Sequence, residues 1–121
     1  MINVKDLLID TLKEKEEWAD YPIIQQGSMA DDEEYPDHFF TFFNNESYDI
    51  AFYDNDETRT VWDFDLNFYS IDPALVNSVL REAKPLLKAK GFIVGGAGYD
   101  VISDEETHTG RGINVTYVEI L

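Results

Sequence analysis

The sequence predicts an α+β domain: a mostly antiparallel sheet, laid out as a strand meander plus closing C-terminal strands, with two main helices packed on one face. Three observations predict it. Apolar residues recur at helical spacing in two stretches, near residues 3 to 18 and 73 to 90. Aromatic and β-branched runs, separated by Asn- and Asp-rich breaks, fill the region between them. The final stretch, "INVTYVEIL", alternates apolar and polar residues as a half-buried strand does. With 121 residues, the chain suits one domain, residues 1 to 121, able to bury roughly two-thirds of its unfolded surface.

The first helix runs from Asn3 to about Trp18, with Val4, Leu7, Leu8, Leu12 and Trp18 near one stripe and Lys and Glu elsewhere. Tyr21-Pro22 ends it, because the residue before proline is pushed out of the helical region. "PIIQQ" then predicts a short strand. "GSMADDEEYPD", residues 27 to 37, reads as a long acidic loop, the candidate for a mobile segment, and its length raises a suspicion of function. Three strands follow: "HFFTFFN" at 38 to 44, "YDIAFYD" at 48 to 54 and "TRTVWDFDLNFYS" at 58 to 70. "NNES" and "NDE" between them carry turn chemistry, which predicts antiparallel hairpins.

Asp72-Pro73 is an N-cap followed by proline at the first helical position. The second helix keeps Leu75, Val76, Val79, Leu80, Ala83, Leu86 and Leu87 on one face, with Lys88 and Lys90 near its C-terminal dipole and Gly91 as a left-handed cap. Pro85 removes one internal hydrogen bond and predicts a kink. "FIVGGAGYDVIS" gives one or two short strands around a glycine turn, "DEETHTGRG" a polar loop, and the last strand sets Ile113, Val115 and Tyr117 on one face.

Composition narrows the function. The chain has no Cys, which excludes disulfides, thiolate zinc sites and a Cys nucleophile and fits a reducing cytosol. No apolar run approaches the roughly 18 residues of a membrane span, and the charged amphipathic N-terminus does not read as a signal peptide. The net charge is -16, from 25 acids and nine bases. Residues 31 to 72 hold thirteen acids and one base, Arg59, whereas residues 73 to 91 hold Arg81, Lys84, Lys88 and Lys90 against Glu82. Such a dipolar layout favours contact between unlike faces of neighbouring copies. It disfavours duplex binding, which needs bases at phosphates.

Asp63 and Asp65 are the sharpest chemical candidates. On one strand they point the same way, about 7 Å apart from the strand rise, and with Asp54 or Asp56 they could hold Mg²⁺ through oxygen ligands. The competing reading, a solvated or partner-facing acidic strand face, is the stronger, because carboxylates are mostly exposed and only Arg59 stands nearby to meet a phosphate. His38 and His108 have no helical i+3 or i+4 partner for zinc. "GGAG", residues 95 to 98, has no following helix and reads as a tight turn rather than a phosphate cradle. Arg111, between two glycines, is suited to pairing with an acidic neighbour within the chain or across an interface.

The segments "EYPDHFFTFFNN", "YDNDETRTVWDFDLNFYS", "DPALVNSVLREAKPLLKAKGF" and "GYDVISDEETHTGRGINVTYVEI" together resemble the tail terminator (tail completion, head-tail joining neck) proteins of long-tailed bacteriophages and prophages. The resemblance spans nearly the whole chain. It implies an α+β domain that forms a hexameric ring on the tail tube, stops tube polymerisation and presents a surface to the head-tail connector protein, with DNA passing through unbound. It implies no enzyme activity and no cofactor, and a place in the virion tail or neck after assembly in the host cytoplasm. Some relatives are thought to use a divalent cation in assembly, which keeps Asp63 and Asp65 as metal candidates. On this reading the interface candidates are Arg81, Lys84, Lys88 and Arg111. The channel- or partner-facing acids come from Asp31, Asp32, Glu33, Glu34, Asp54, Asp56 and Glu57, with Asp63 and Asp65. A negative lumen repels phosphates within a Debye length of about 8 Å. Two other classes compete: an acidic DNA mimic that inhibits a DNA-binding enzyme, and a Mg²⁺-dependent phosphoester hydrolase using Asp63 and Asp65. A mimic binds its target with strong salt sensitivity, a hydrolase turns over substrate with metal, and a terminator oligomerises alone or on tail tubes.

Overall fold

The computed structural model describes residues 3–25, 36–50, 59–103 and 106–120, and the side chains of those residues except at 45–50 and 120. Helix α1 (Val4–Lys13) begins where the Asn3 side chain accepts the Asp6 N–H at 3.1 Å, satisfying one of the orphan donors of the first turn. Val4, Leu8 and Leu12 are its buried stripe. It ends sooner than the apolar spacing predicts. Between Leu12 and Trp18 the sequence is "KEKEE", with no apolar residue to hold another α-helical turn to the core. A 3₁₀ turn (Glu16–Trp18) returns the chain instead. Trp18 is thereby fully buried, edge-on to Phe40 with ring centroids 5.7 Å apart, and Lys15 Nζ lies 4.8 Å from its ring.

The described residues form one five-stranded sheet in the order β1-β2-β3-β5-β4. Strand β1 (Ile23–Gln25) runs parallel to β2 (His38–Ile50), and every other neighbour is antiparallel: β2 with β3 (Arg59–Ser70), β3 with β5 (Thr109–Ile120), and β5 with β4 (Ile93–Val101). The last strand is therefore not the border of the sheet. It lies between β3 and β4, and β4 is the outer strand.

Two predicted turns are instead irregularities inside single strands. Residues 38 to 44 and 48 to 50 belong to one strand, and "NNES" is a bulge: Asn44 faces Phe64 and Glu46 faces Asp63, leaving one extra residue on β2. An extra residue shifts the inward-outward alternation by one, so β2 stays paired along the whole of β3. The remainder of the predicted 48 to 54 strand, residues 51 to 54, lies outside the described residues. Likewise "GGAG" does not separate two strands. The β4 register jumps from Gly95, opposite Asn114, to Tyr99, opposite Gly112, and Gly96–Gly98 form the bulge between them. Gly96 (φ 65) and Gly98 (φ 93) adopt the left-handed backbone this requires.

Helix α2 (Pro73–Ala89) begins at Asp72, whose carboxylate accepts the Ala74 N–H at 3.0 Å, and runs without interruption past Pro85. Gly91 (φ 96) follows the C-terminus as predicted. Both helices lie on the same face of the sheet. Their apolar stripes close over Phe40, Phe42, Phe64, Leu66, Phe68, Val94, Ile113 and Val115 to form one core. The protein is an α+β domain with a mostly antiparallel sheet, and it carries no helix among the described residues long and apolar enough to cross a membrane.

Candidate functional site

Helices cover one face of the sheet; no described helix lies on the other. Strand pairing assembles that second face in cross-strand rows. Thr41, Asn67, Gly112 and Tyr99 form one row, and Phe43, Asp65, Asn114 and Gly95 the next. Asp63, Thr116 and Ile93 follow. Asp63 and Asp65 share this face, as the alternation predicts. Neither stands alone in water. Asn114 Nδ2 donates to Asp63 Oδ1 at 2.7 Å, and Thr116 Oγ1 donates to the same oxygen at 3.3 Å. The Tyr99 hydroxyl donates to Asp65 Oδ1 at 3.2 Å. Partial burial, then the nearby Asp65 charge and its hydrogen bond, raise the Tyr99 phenol above its ordinary 10.0.

The middle of this face is sealed by aromatic rings lying on glycines. A Cβ on Gly112 would run into Asn67 Oδ1 and meet Tyr99 Cε2 at 2.8 Å, while one on Gly110 would meet the Tyr69 ring at 2.7 Å. Each tyrosine roofs a glycine of β5. Beneath Tyr99, Asn67 is only 7% exposed; its Nδ2 donates to Thr41 Oγ1 at 3.4 Å, and its Oδ1 has no hydrogen-bond partner. Beyond Tyr69, Phe39 stacks on the tyrosine at 5.2 Å and meets His108 edge-on at 5.9 Å. His108 is buried, bridging Thr107 Oγ1 at 2.9 Å and the Pro36 carbonyl at 2.8 Å. His38 Nδ1 pairs with Ser70 Oγ at 2.7 Å, and that oxygen also accepts the Asp72 N–H at 2.9 Å. Both histidines serve packing and loop anchoring.

The cations predicted to form an interface separate into two groups. Arg111 is committed inside the chain, to Asp100 Oδ1 at 2.7 Å through Nη1 and to the Ala97 carbonyl at 3.3 Å through Nη2. Lys84 donates to the Gly96 carbonyl at 2.6 Å. Together they hold the carbonyls of the β4 bulge. Arg81 and Lys88 are exposed on α2 and make no ion pair among the described residues. Asp31, Asp32, Glu33, Glu34, Asp54, Asp56 and Glu57 lie outside the described residues. Among the described residues no three His, Asp or Glu side chains come together to hold a metal ion.

Sequence reasoning missed Asn67, Tyr99, Asn114 and Thr116 as members of the site. Parity along one strand identifies a face, but only the register between strands brings β3, β4 and β5 residues into a row. A scan of protein-family models finds none that matches the chain, and a search of curated proteins finds no match either.

Proposed function

We propose that this protein is a structural component of phage assembly, a tail terminator that forms a ring on the tail tube, stops its polymerisation and offers a joining surface to the head-tail connector. The observation that carries the proposal is the one-sided sheet: both helices lie on one face, and the opposite face presents carboxylates beside exposed Phe43, Ile93 and Tyr99. Mixed polar and aromatic surfaces of this kind suit protein contacts. The order of elements supports the same reading, since it agrees with the α+β domain that the resemblance implies. One oxygen of each aspartate accepts hydrogen bonds within the sheet, Asp63 from Asn114 and Thr116 and Asp65 from Tyr99, so both carboxylates are oriented by neighbouring strands.

In this role the partners are further copies of the chain, in a hexameric ring, together with the major tail tube protein and the connector. DNA passes without being gripped, and the protein works without a cofactor, in the host cytoplasm during assembly and in the virion tail or neck afterwards. Negative-stain imaging of purified protein, alone and with polymerising tail tubes, tests this. The expected result is rings alone or at tube ends, and tubes that stop growing once capped. Tubes that lengthen equally with and without the protein, and carry nothing at their ends, would sink it.

A further inference from the structure

Resting on the ring-forming reading, we infer that the sheet face around Asp65 is the docking site for helix α2 of the next copy, with Arg81 and Lys88 as the residues that enter it. Three observations meet here. Asp65 is half-buried, accepts only the neutral Tyr99 hydroxyl and meets no cation among the described residues. On the same face stand apolar side chains that the fold leaves exposed, Phe43 directly opposite Asp65 at 46% exposure and, two strands away in the next row, Ile93 at 61%. Asn67 in the adjoining row keeps a buried carbonyl oxygen with no donor, a group that a docking cation's N–H groups satisfy once Tyr99 turns aside.

The complementary surface lies on the helix layer. Arg81 and Lys88 are seven residues apart, two helical turns or about 10 Å along α2, on the flank from which Lys84 reaches the β4 bulge. They are left over after the other cations of this helix are spent, Lys84 on Gly96 and Lys90 on Glu14 at 3.0 Å. A planar guanidinium donates to a carboxylate through two parallel bonds, and the apolar rim excludes water from that pair. Because cations and acceptor belong to opposite layers, one copy's helix meets its neighbour's sheet. Such a head-to-tail contact repeats from copy to copy and closes when the rotation permits, giving a ring.

Charge swapping tests the contact on the full chain. Sedimentation velocity and native mass spectrometry follow self-association of the wild type, an Arg81→Glu/Lys88→Glu variant, an Asp65→Lys variant, and an equimolar mixture of the two variants. Each variant alone is expected to associate about tenfold or more weakly, as for close interfacial charge pairs. The mixture recovers assembly, since each variant offers the other a complementary face. Wild-type protein that stays monomeric at every concentration overturns the inference. So does an Arg81→Glu/Lys88→Glu variant that assembles like wild type; both of its changes are on exposed helix surface, and circular dichroism verifies its fold. Should Asp65→Lys disturb the fold, Asp65→Asn replaces it, with weakened association expected and unchanged association counting against the site. Tail tubes separate this inference from the reading it rests on. Charge-dependent self-association with no effect on tubes removes the terminator function and keeps the interface, whereas capping by the helix variant at wild-type efficiency does the reverse.

Discussion

Gly112 shows how a single residue type can be visible in a sequence while its purpose is not. In "THTGRGIN" the two glycines suggest flexible backbone, because glycine is depleted in strands. Both are strand residues, each lying under a tyrosine ring from a neighbouring strand. A tyrosine on glycine compensates for the missing side chain, but leaves no space for a methyl group. Gly112→Ala should therefore destabilise the fold by about 1–3 kcal/mol, the usual cost of overpacking. Urea unfolding would register this as a lower midpoint at unchanged m-value; a midpoint equal to wild type would show that Tyr99 and Asn67 yield freely. Gly96 is the contrasting case. A Cβ there meets nothing within 4 Å, so only its left-handed φ disfavours other residues. The aspartates were legible as partners on one face, because strand parity is local information. Their hydrogen bonds to Tyr99, Asn114 and Thr116 were not, because these cross from strands 34 to 53 positions away in sequence.

The start of α1 and both ends of α2 obey local rules and were legible, whereas the end of α1 was not. Asp72 both caps α2 and precedes a proline that needs no N–H partner, so the start of the helix is fixed within three residues of sequence. Asp72→Ala should cost about 1 kcal/mol through loss of the bond to the Ala74 N–H. Thermal unfolding of the variant measures it, and an unshifted melting temperature would mean that Pro73 and packing alone hold the first turn. The strands were less legible because their breaks are ambiguous. Asn and Asp clusters signal turns, yet the same residues tolerate the bent backbone of a bulge, and only the length of the partner strand decides between them. Here β3 runs from Arg59 to Ser70 without a break, so β2 bulges to remain paired rather than folding back. Early termination of α1 has a similar cause: helical spacing persisted to Trp18 in number, but "KEKEE" left the helix no apolar contact to follow.

For the whole molecule, two helices on one face followed from the amphipathic patterns, while the strand order did not. Nothing in the alternation of β5 distinguishes a border position from the place between β3 and β4 that it occupies. Charge distribution also acts at this scale. With 25 acids and nine bases, the compact state confines carboxylates that the unfolded chain separates. The three ion pairs formed by described residues are largely exposed and contribute little each. Moderate salt screens the repulsion, so the melting temperature by differential scanning calorimetry should rise from low to physiological ionic strength. A falling temperature would show that the ion pairs outweigh the repulsion.

The bulge at Gly96–Gly98 bears on how a ring of the proposed kind could form without limitless growth. A border strand with a straight run of unpaired backbone groups is a template for adding strands, the route to fibrils. Strand β4 is interrupted at its centre, with its protruding carbonyls occupied by Lys84 and Arg111. At the other border, β1 comprises three of the described residues, Ile23–Gln25. Lengthening the sheet chain by chain is obstructed at β4, so in the ring proposed above contacts between copies would fall to side chains, which can be counted, oriented and closed.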